Sequence, residues 1–207
     1  DELIYNSVYK EIYSNNSNCV YEIVNGQPST YYYIDDLEHQ TRVISINSFE
    51  RLGAGEGDWK VHYNQNQINF IINALTSLKQ DWCIVFVYHS SEVKLSNATE
   101  YNEDFYVDKF SYDGINKADY TGTILLDIVD AYISRDKIQK NYSQPNTYGV
   151  DGKVTDHITV NADFSSAKGY FVAHITGHIH QDAICYVTET KNKQVMLNQT
   201  STTANLG

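Results

Sequence analysis

Two uninterrupted apolar runs constrain this chain more than any other feature. The first is Trp82-Cys83-Ile84-Val85-Phe86-Val87-Tyr88, and the second is Tyr170-Phe171-Val172-Ala173-His174-Ile175-Thr176. Each reads as a strand buried on both faces, the pattern of a central strand in a layered protein of helices and sheet. Gly177 reads as the turn that ends the second run. In such folds the C-terminal ends of central strands are where functional groups are placed, so the residues after each run come first in the search for chemistry.

The first run ends at His89-Ser90-Ser91, and the second leads into Gly177-His178-Ile179-His180-Gln181-Asp182. If the backbone past Gly177 stays extended, His178 and His180 point to one side, because extended side chains alternate with period two. Two imidazoles leaving a strand end together have the spacing of metal ligands. The plainer reading is a pair of surface histidines in a turn. Taken alone, His89 is more simply a structural histidine bonded to a carbonyl. Two strands that each deliver histidine at their ends make convergence of His89, His178 and His180 the stronger expectation. His174, one pleat earlier, reads as a structural or rim residue. Asp182 reads either as an acceptor that orients a ligand imidazole or as a plain turn carboxylate.

The donor set limits the metal. Neutral imidazole suits manganese, iron and zinc, with carboxylates completing the shell. Three histidines with no thiolate differ from a structural zinc site, which is normally rich in cysteine.

A strand ending in a single His, followed much later by Gly-His-x-His after another strand, resembles the C-terminal half of the calcineurin-like metallophosphoesterases. Further segments are similar to bacterial and phage-associated members of that family. They are Tyr31-Tyr32-Tyr33-Ile34-Asp35, Arg42-Val43-Ile44-Ser45-Ile46-Asn47-Ser48, the helix with Gln67, and Asn161-Ala162-Asp163-Phe164-Ser165. The resemblance spans about residues 30 to 190. It implies an α+β fold: a layered β-sandwich core flanked by helices. It also implies a centre of two divalent metal ions, manganese, iron or zinc, that hydrolyses phosphomonoesters or phosphodiesters. His89 and His178 would hold one ion and His180 the other. Two ions about 3.5–4 Å apart can clamp an in-line phosphoryl displacement.

The departures matter as much. The family's Asp-x-His, its Gly-Asp with a later Asp, and its Gly-Asn-His are not found in this chain. Gly57-Asp58 sits in the glycine-rich stretch Gly53-Ala54-Gly55-Glu56-Gly57-Asp58, with no Asp-x-His before it, and Asp156-His157 lacks the intervening residue. Those motifs supply the bridging carboxylate, an Asn ligand and the His that assists the leaving group. The chain opens at Asp1-Glu2-Leu3 without Met. The expectation is therefore that residues 1–207 form a single domain that is the C-terminal portion of a metallophosphoesterase. Its partner would be the N-terminal segment of the same protein, which would also bring the catalytic groups. The alternatives are an inactive structural or adhesive module, such as a phage tail component, and a mononuclear three-histidine site.

Composition sets outer bounds. A length of 207 residues suits one domain with a sizeable core. No apolar run approaches the roughly 20 residues that span a bilayer, so no membrane span is expected. The formal net charge of −11 argues against a general nucleic-acid-binding surface. A phosphate-ester substrate stays compatible, because bound metal supplies local positive charge. The substrate itself is open among nucleotides, nucleic-acid ends, lipid headgroups and cell-wall phosphodiesters. The expected location is the cytoplasm or a phage particle. Cys83 and Cys185 lie in apolar runs and read as buried thiols; Cys19 stands apart, with no spacing for a zinc knuckle. The 18 tyrosines are dispersed through strand-like segments, as in a protein encoded by an AT-rich genome.

Residues 1–13 show a helical pattern. Strands are expected at 19–24, 30–34, 42–47, 83–88, 155–163, 169–176, 183–189 and 193–198. Helices are expected at 65–79 and 121–134. Residues 50–63, 90–118 and 135–154 read as loops, the second a candidate lid or a solvated connection. One sheet should contain both 83–88 and 169–176.

Overall fold

The structure, a computed structural model, describes residues 11, 17–48, 63–88, 124–146, 154–176, 183–187 and 190–198. Its strands are β1 (Cys19–Val24), β2 (Gln27–Asp36), β3 (Thr41–Ser45), β4 (Cys83–Tyr88), β5 (Lys137–Asn146), β6 (Val154–Asp163), β7 (Tyr170–Thr176), β8 (Ala183–Val187) and β9 (Gln194–Asn198). Among the described residues, helices α1 (Gln65–Thr76) and α2 (Ile124–Ser134) accompany them. Seven strands form one mixed sheet in the order β1-β2-β3-β4-β7-β9-β8, and β5 and β6 form a separate two-stranded sheet. The fold is α+β, mostly strands, as expected at that level.

The two apolar runs are neighbours at the centre of the large sheet. β4 pairs with β3 on one side and β7 on the other, both in parallel. Their starts are tied as well: Tyr170 N donates to Trp82 O at 2.8 Å, and Gly169 N to Asp81 Oδ1 at 3.3 Å. Gly169 has φ +89°, and a Cβ there would lie 2.6 Å from Leu78 Cδ2, 2.9 Å from Trp82 O and 3.0 Å from Tyr132 Oη. The position demands glycine on both counts.

Register along β7 is not uniform. Ile84 faces Phe171, but Val85 faces Ala173, so Val172 is an extra residue. This bulge shifts the alternation by one. As a result Phe171, His174 and Thr176 lie on the face of Ile84, Phe86 and Tyr88, while Ala173 and Ile175 take the opposite face.

The first face is the core. It gathers Ile44, Ile84, Phe86 and Tyr88 from the sheet against Ile68, Ile71 and Leu75 of α1 and Ile124, Ile128 and Tyr132 of α2. Tyr31 and Tyr33 of β2 extend it onto Phe70, with ring centroids 5.1 and 5.9 Å away. Helix α1 starts at Asn64, whose Oδ1 caps Gln67 N at 2.8 Å. It ends at Thr76, three residues before the expected 79. Helix α2 stops at Arg135, which has φ +56°, with Asp136 N bonded back to Ala131 O at 2.9 Å. That is a Schellman-type end.

The other face corrects the expectation of strands buried on both sides. A cross-strand line runs Tyr21, Tyr32, Ser45, Val87, Ile175, Leu197, Ile184. Its members are half-buried or exposed, with Ile184 at 69%. Cys83 shares this side and is exposed, contrary to its expected burial; the side chain of Cys185 lies outside those described.

Residues 137–146 form β5 rather than loop. Among its described side chains Ile138 and Tyr142 are the apolar ones turned inward, which hides the strand in sequence. Between them Lys140 Nζ and Tyr142 Oη both bond Asp127 Oδ2 of α2, each at 2.6 Å. A ladder to β6 completes the pairing, and Pro145 is accommodated because β5 has β6 as its one neighbour in that sheet.

Arg42 ties the sheet to α1. It is 4% exposed and faces Asp35 across the β2–β3 ladder. Nε and Nη2 donate to the two carboxylate oxygens at 2.6 and 2.7 Å. Nη1 donates to Ala74 O at 2.5 Å and Ser77 Oγ at 2.8 Å, at the C-terminal end of α1, where a cation is favoured. Arg42→Met should destabilise the fold by about 3 kcal/mol, because it strands the Asp35 charge. Arg42→Lys should recover only part, since an ammonium lacks the fork. Gly169→Ala should cost about 2 kcal/mol or more through positive φ and overlap. Urea unfolding midpoints measure all three.

Candidate functional site

Strands β3, β4, β7 and β9 run parallel, so their C-terminal ends share one edge of the sheet. Ser45 lies opposite Val87, Tyr88 opposite Thr176, and Thr176 opposite Asn198. His89 follows directly on Tyr88, and Gly177 directly on Thr176. The chain therefore enters the His89 segment and the Gly177-His178-Ile179-His180 segment from adjacent strands, roughly 4.8 Å apart, at the same level. His89, Gly177, His178, His180 and Asp182 themselves lie outside the described residues, as do Gly57 and Asp58.

The same edge is organised on its β3 side by Gln67. Its side chain is fully buried near the start of α1 and clasps the backbone of Asn47: Asn47 N donates to Oε1 at 2.8 Å, and Nε2 donates to Asn47 O at 2.9 Å. Asn47 Nδ2 in turn donates to Thr30 Oγ1 at 2.7 Å. The segment leaving β3 is thus fixed by polar groups where sheet pairing ends.

Beneath the ends of β4 and β7 lies a buried polar chain. His174 is 0% exposed. Its Nε2 is 2.8 Å from Gln194 Oε1, and its Nδ1 is 3.1 Å from Tyr88 Oη. Gln194 Nε2 donates to Leu126 O of α2 at 3.0 Å. Oε1 of Gln194 is therefore the acceptor, Nε2 of His174 carries the proton, and Nδ1 accepts from the Tyr88 hydroxyl. Phe86, Tyr88 and Phe171 pack their rings around the imidazole, with centroids 4.7 to 5.8 Å away. Both ring nitrogens are engaged, so His174 is structural, one of its two expected roles. Gln194 and Tyr88 were not singled out in the sequence. A glutamine opening the otherwise apolar Val195-Met196-Leu197 was the available signal.

Among the described residues no group of three or more His, Cys, Asp and Glu side chains comes together. Among them, too, no helix is long and apolar enough to cross a membrane. Comparison of the chain with protein-family models, curated proteins and solved structures finds no match.

Burial pushes the His174 imidazole down to about 4, against the smaller opposing pull of its Gln194 hydrogen bond. Between its ordinary value of 6.5 and about 4, the unfolded chain binds a proton that the folded chain does not. Stability from this group is full above about pH 6.5 and is lost as pH falls through about 4, roughly 3 kcal/mol in all. His174→Phe should therefore show a flatter stability profile across that window than the parent, measured by urea unfolding at a series of pH values.

Proposed function

We propose that this chain belongs to a dinuclear metal-dependent phosphoesterase of the calcineurin-like type. Its histidines would be His89 and His178 on one ion and His180 on the other. The observation that carries the reading is the parallel pairing of β4 with β7, with Tyr88 level with Thr176. It launches the two histidine segments side by side from one sheet edge. The donor set fits: neutral imidazoles accept borderline divalent ions without competition from a thiolate. When bound, such ions supply Lewis-acid charge to a phosphoryl oxygen and to a water. The chain's own residues then have three tasks. The histidines hold the ions, the buried polar groups under the edge keep the strand ends in place, and Asp182 is available to orient an imidazole or the turn.

The half-open sheet face supports the sandwich expected for this type. Apolar side chains of Tyr21, Val87, Ile175, Leu197 and Ile184 lie along it. A second sheet supplied by upstream sequence would cover it and stabilise the domain at roughly 25 cal/mol per Å² of apolar surface removed from water. The same upstream sequence would bring the bridging carboxylate and the His that assists the leaving group. Substrate is then a phosphomonoester or phosphodiester.

Residues 1–207 and the full-length gene product should be compared side by side. The full-length protein should hold two divalent ions per chain and turn over a chromogenic phosphodiester or phosphomonoester. His178→Ala and His180→Ala should each remove metal and abolish turnover with little change in the unfolding midpoint. Residues 1–207 alone should be inactive and should self-associate or bind a hydrophobic dye. Robust turnover by residues 1–207 would overturn the two-ion assignment. A full-length protein with neither metal nor turnover would favour an inactive structural module, and one ion per chain a mononuclear site.

A further inference from the structure

We propose that Tyr88, His174 and Gln194 form a positioning device that selects the bulged phase of β7, and with it the face that Thr176 presents and its level beside Tyr88. The inference rests on the metal-site reading above.

The backbone ladder does not decide this phase by itself. Without the extra residue at Val172, the strand would pair equally well with Ala173 and Ile175 turned inward and His174 turned out. Both inward sets would be packable, because alanine and isoleucine are ordinary core residues. A slip of one residue exchanges the two faces of everything beyond it. The buried polar chain breaks the tie. His174 Nδ1 reaches Tyr88 Oη at 3.1 Å, and Nε2 reaches Gln194 Oε1 at 2.8 Å, only in the phase where Phe86 faces His174 and Tyr88 faces Thr176. In the other phase the buried Gln194 Oε1 loses its donor, and unpaired buried polar atoms are costly. Gln194 cannot follow, because Leu126 O of α2 holds its amide at 3.0 Å. The three side chains thus fix β7 against β4 on one side and β9 on the other. Tyr88 and Thr176, the residues from which the His89 and Gly177 segments depart, sit level with each other as a consequence. These are positioning residues; none is placed in contact with metal or substrate.

The test uses the full-length protein and manganese. Tyr88→Phe keeps the ring and removes the hydroxyl. Asn192→Ala serves as the comparison, because it removes the Nδ2 bonds that tie the residue ahead of β9 to Asp130 and Ser134 of α2. Mn²⁺ affinity is read by isothermal titration, and the unfolding midpoint alongside it. Tyr88→Phe should weaken Mn²⁺ binding by about tenfold or more, the scale on which groups that orient ligands act. Asn192→Ala should lower the midpoint and leave Mn²⁺ affinity unchanged. Unchanged affinity in Tyr88→Phe, or equal weakening in both variants, would overturn the positioning role and leave the metal site standing. A parent protein that binds no Mn²⁺ would overturn the metal site and this role together.

Discussion

The parallel pairing of β4 with β7 is the constraint on which the rest of the structure depends. The two strands are far apart in the chain, yet they sit side by side at the centre of the seven-stranded sheet. Their starts are pinned through Trp82 and Tyr170, and their ends through Tyr88 and His174. Both helices pack on the face that these strands present to the core. Any chemistry at the C-terminal edge inherits its geometry from this one pairing.

The layers are joined by buried polar side chains as much as by apolar packing. Arg42 links β2 and β3 to the end of α1, Gln67 links its beginning to the segment after β3, and Gln194 links β9 to α2. Each of these groups is satisfied by a partner in a different element. Apolar contacts tolerate sliding, whereas a bidentate pair or a fixed imidazole does not. In an acidic protein with net charge −11, the buried guanidinium also neutralises a carboxylate that the sheet would otherwise hold beside a helix C-terminus.

Sequence made the central strands and both helices legible, because continuous apolar runs and a helical apolar stripe are strong local signals. Helix α1 was visible from Ile68, Ile71 and Leu75, all buried in the core. The β1–β2 connection has a local cue as well: Asn25 and Gly26, with φ of +52° and +78°, form the two-residue turn that Asn-Gly favours. What sequence could not display was tertiary in origin. Strand β5 is held by its ladder to β6 and tied to α2 where Asp127 receives Lys140 and Tyr142, and nothing in its own alternation announces either. The Val172 bulge depends on which neighbours β7 acquires. Exposure of Cys83 follows from which face of the sheet the helices chose. Of the candidate site, the described residues carry the strand ends and their buried supports, while the three histidines remain a reading of the sequence.

The most direct test of the central claim is a crystal structure of the protein grown with Mn²⁺, with data collected at the manganese absorption edge. The account predicts anomalous density beyond the ends of β4 and β7, with ring nitrogens of His89, His178 and His180 coordinated to it. Histidines that point away from one another, with no anomalous density at that edge of the sheet, would contradict it.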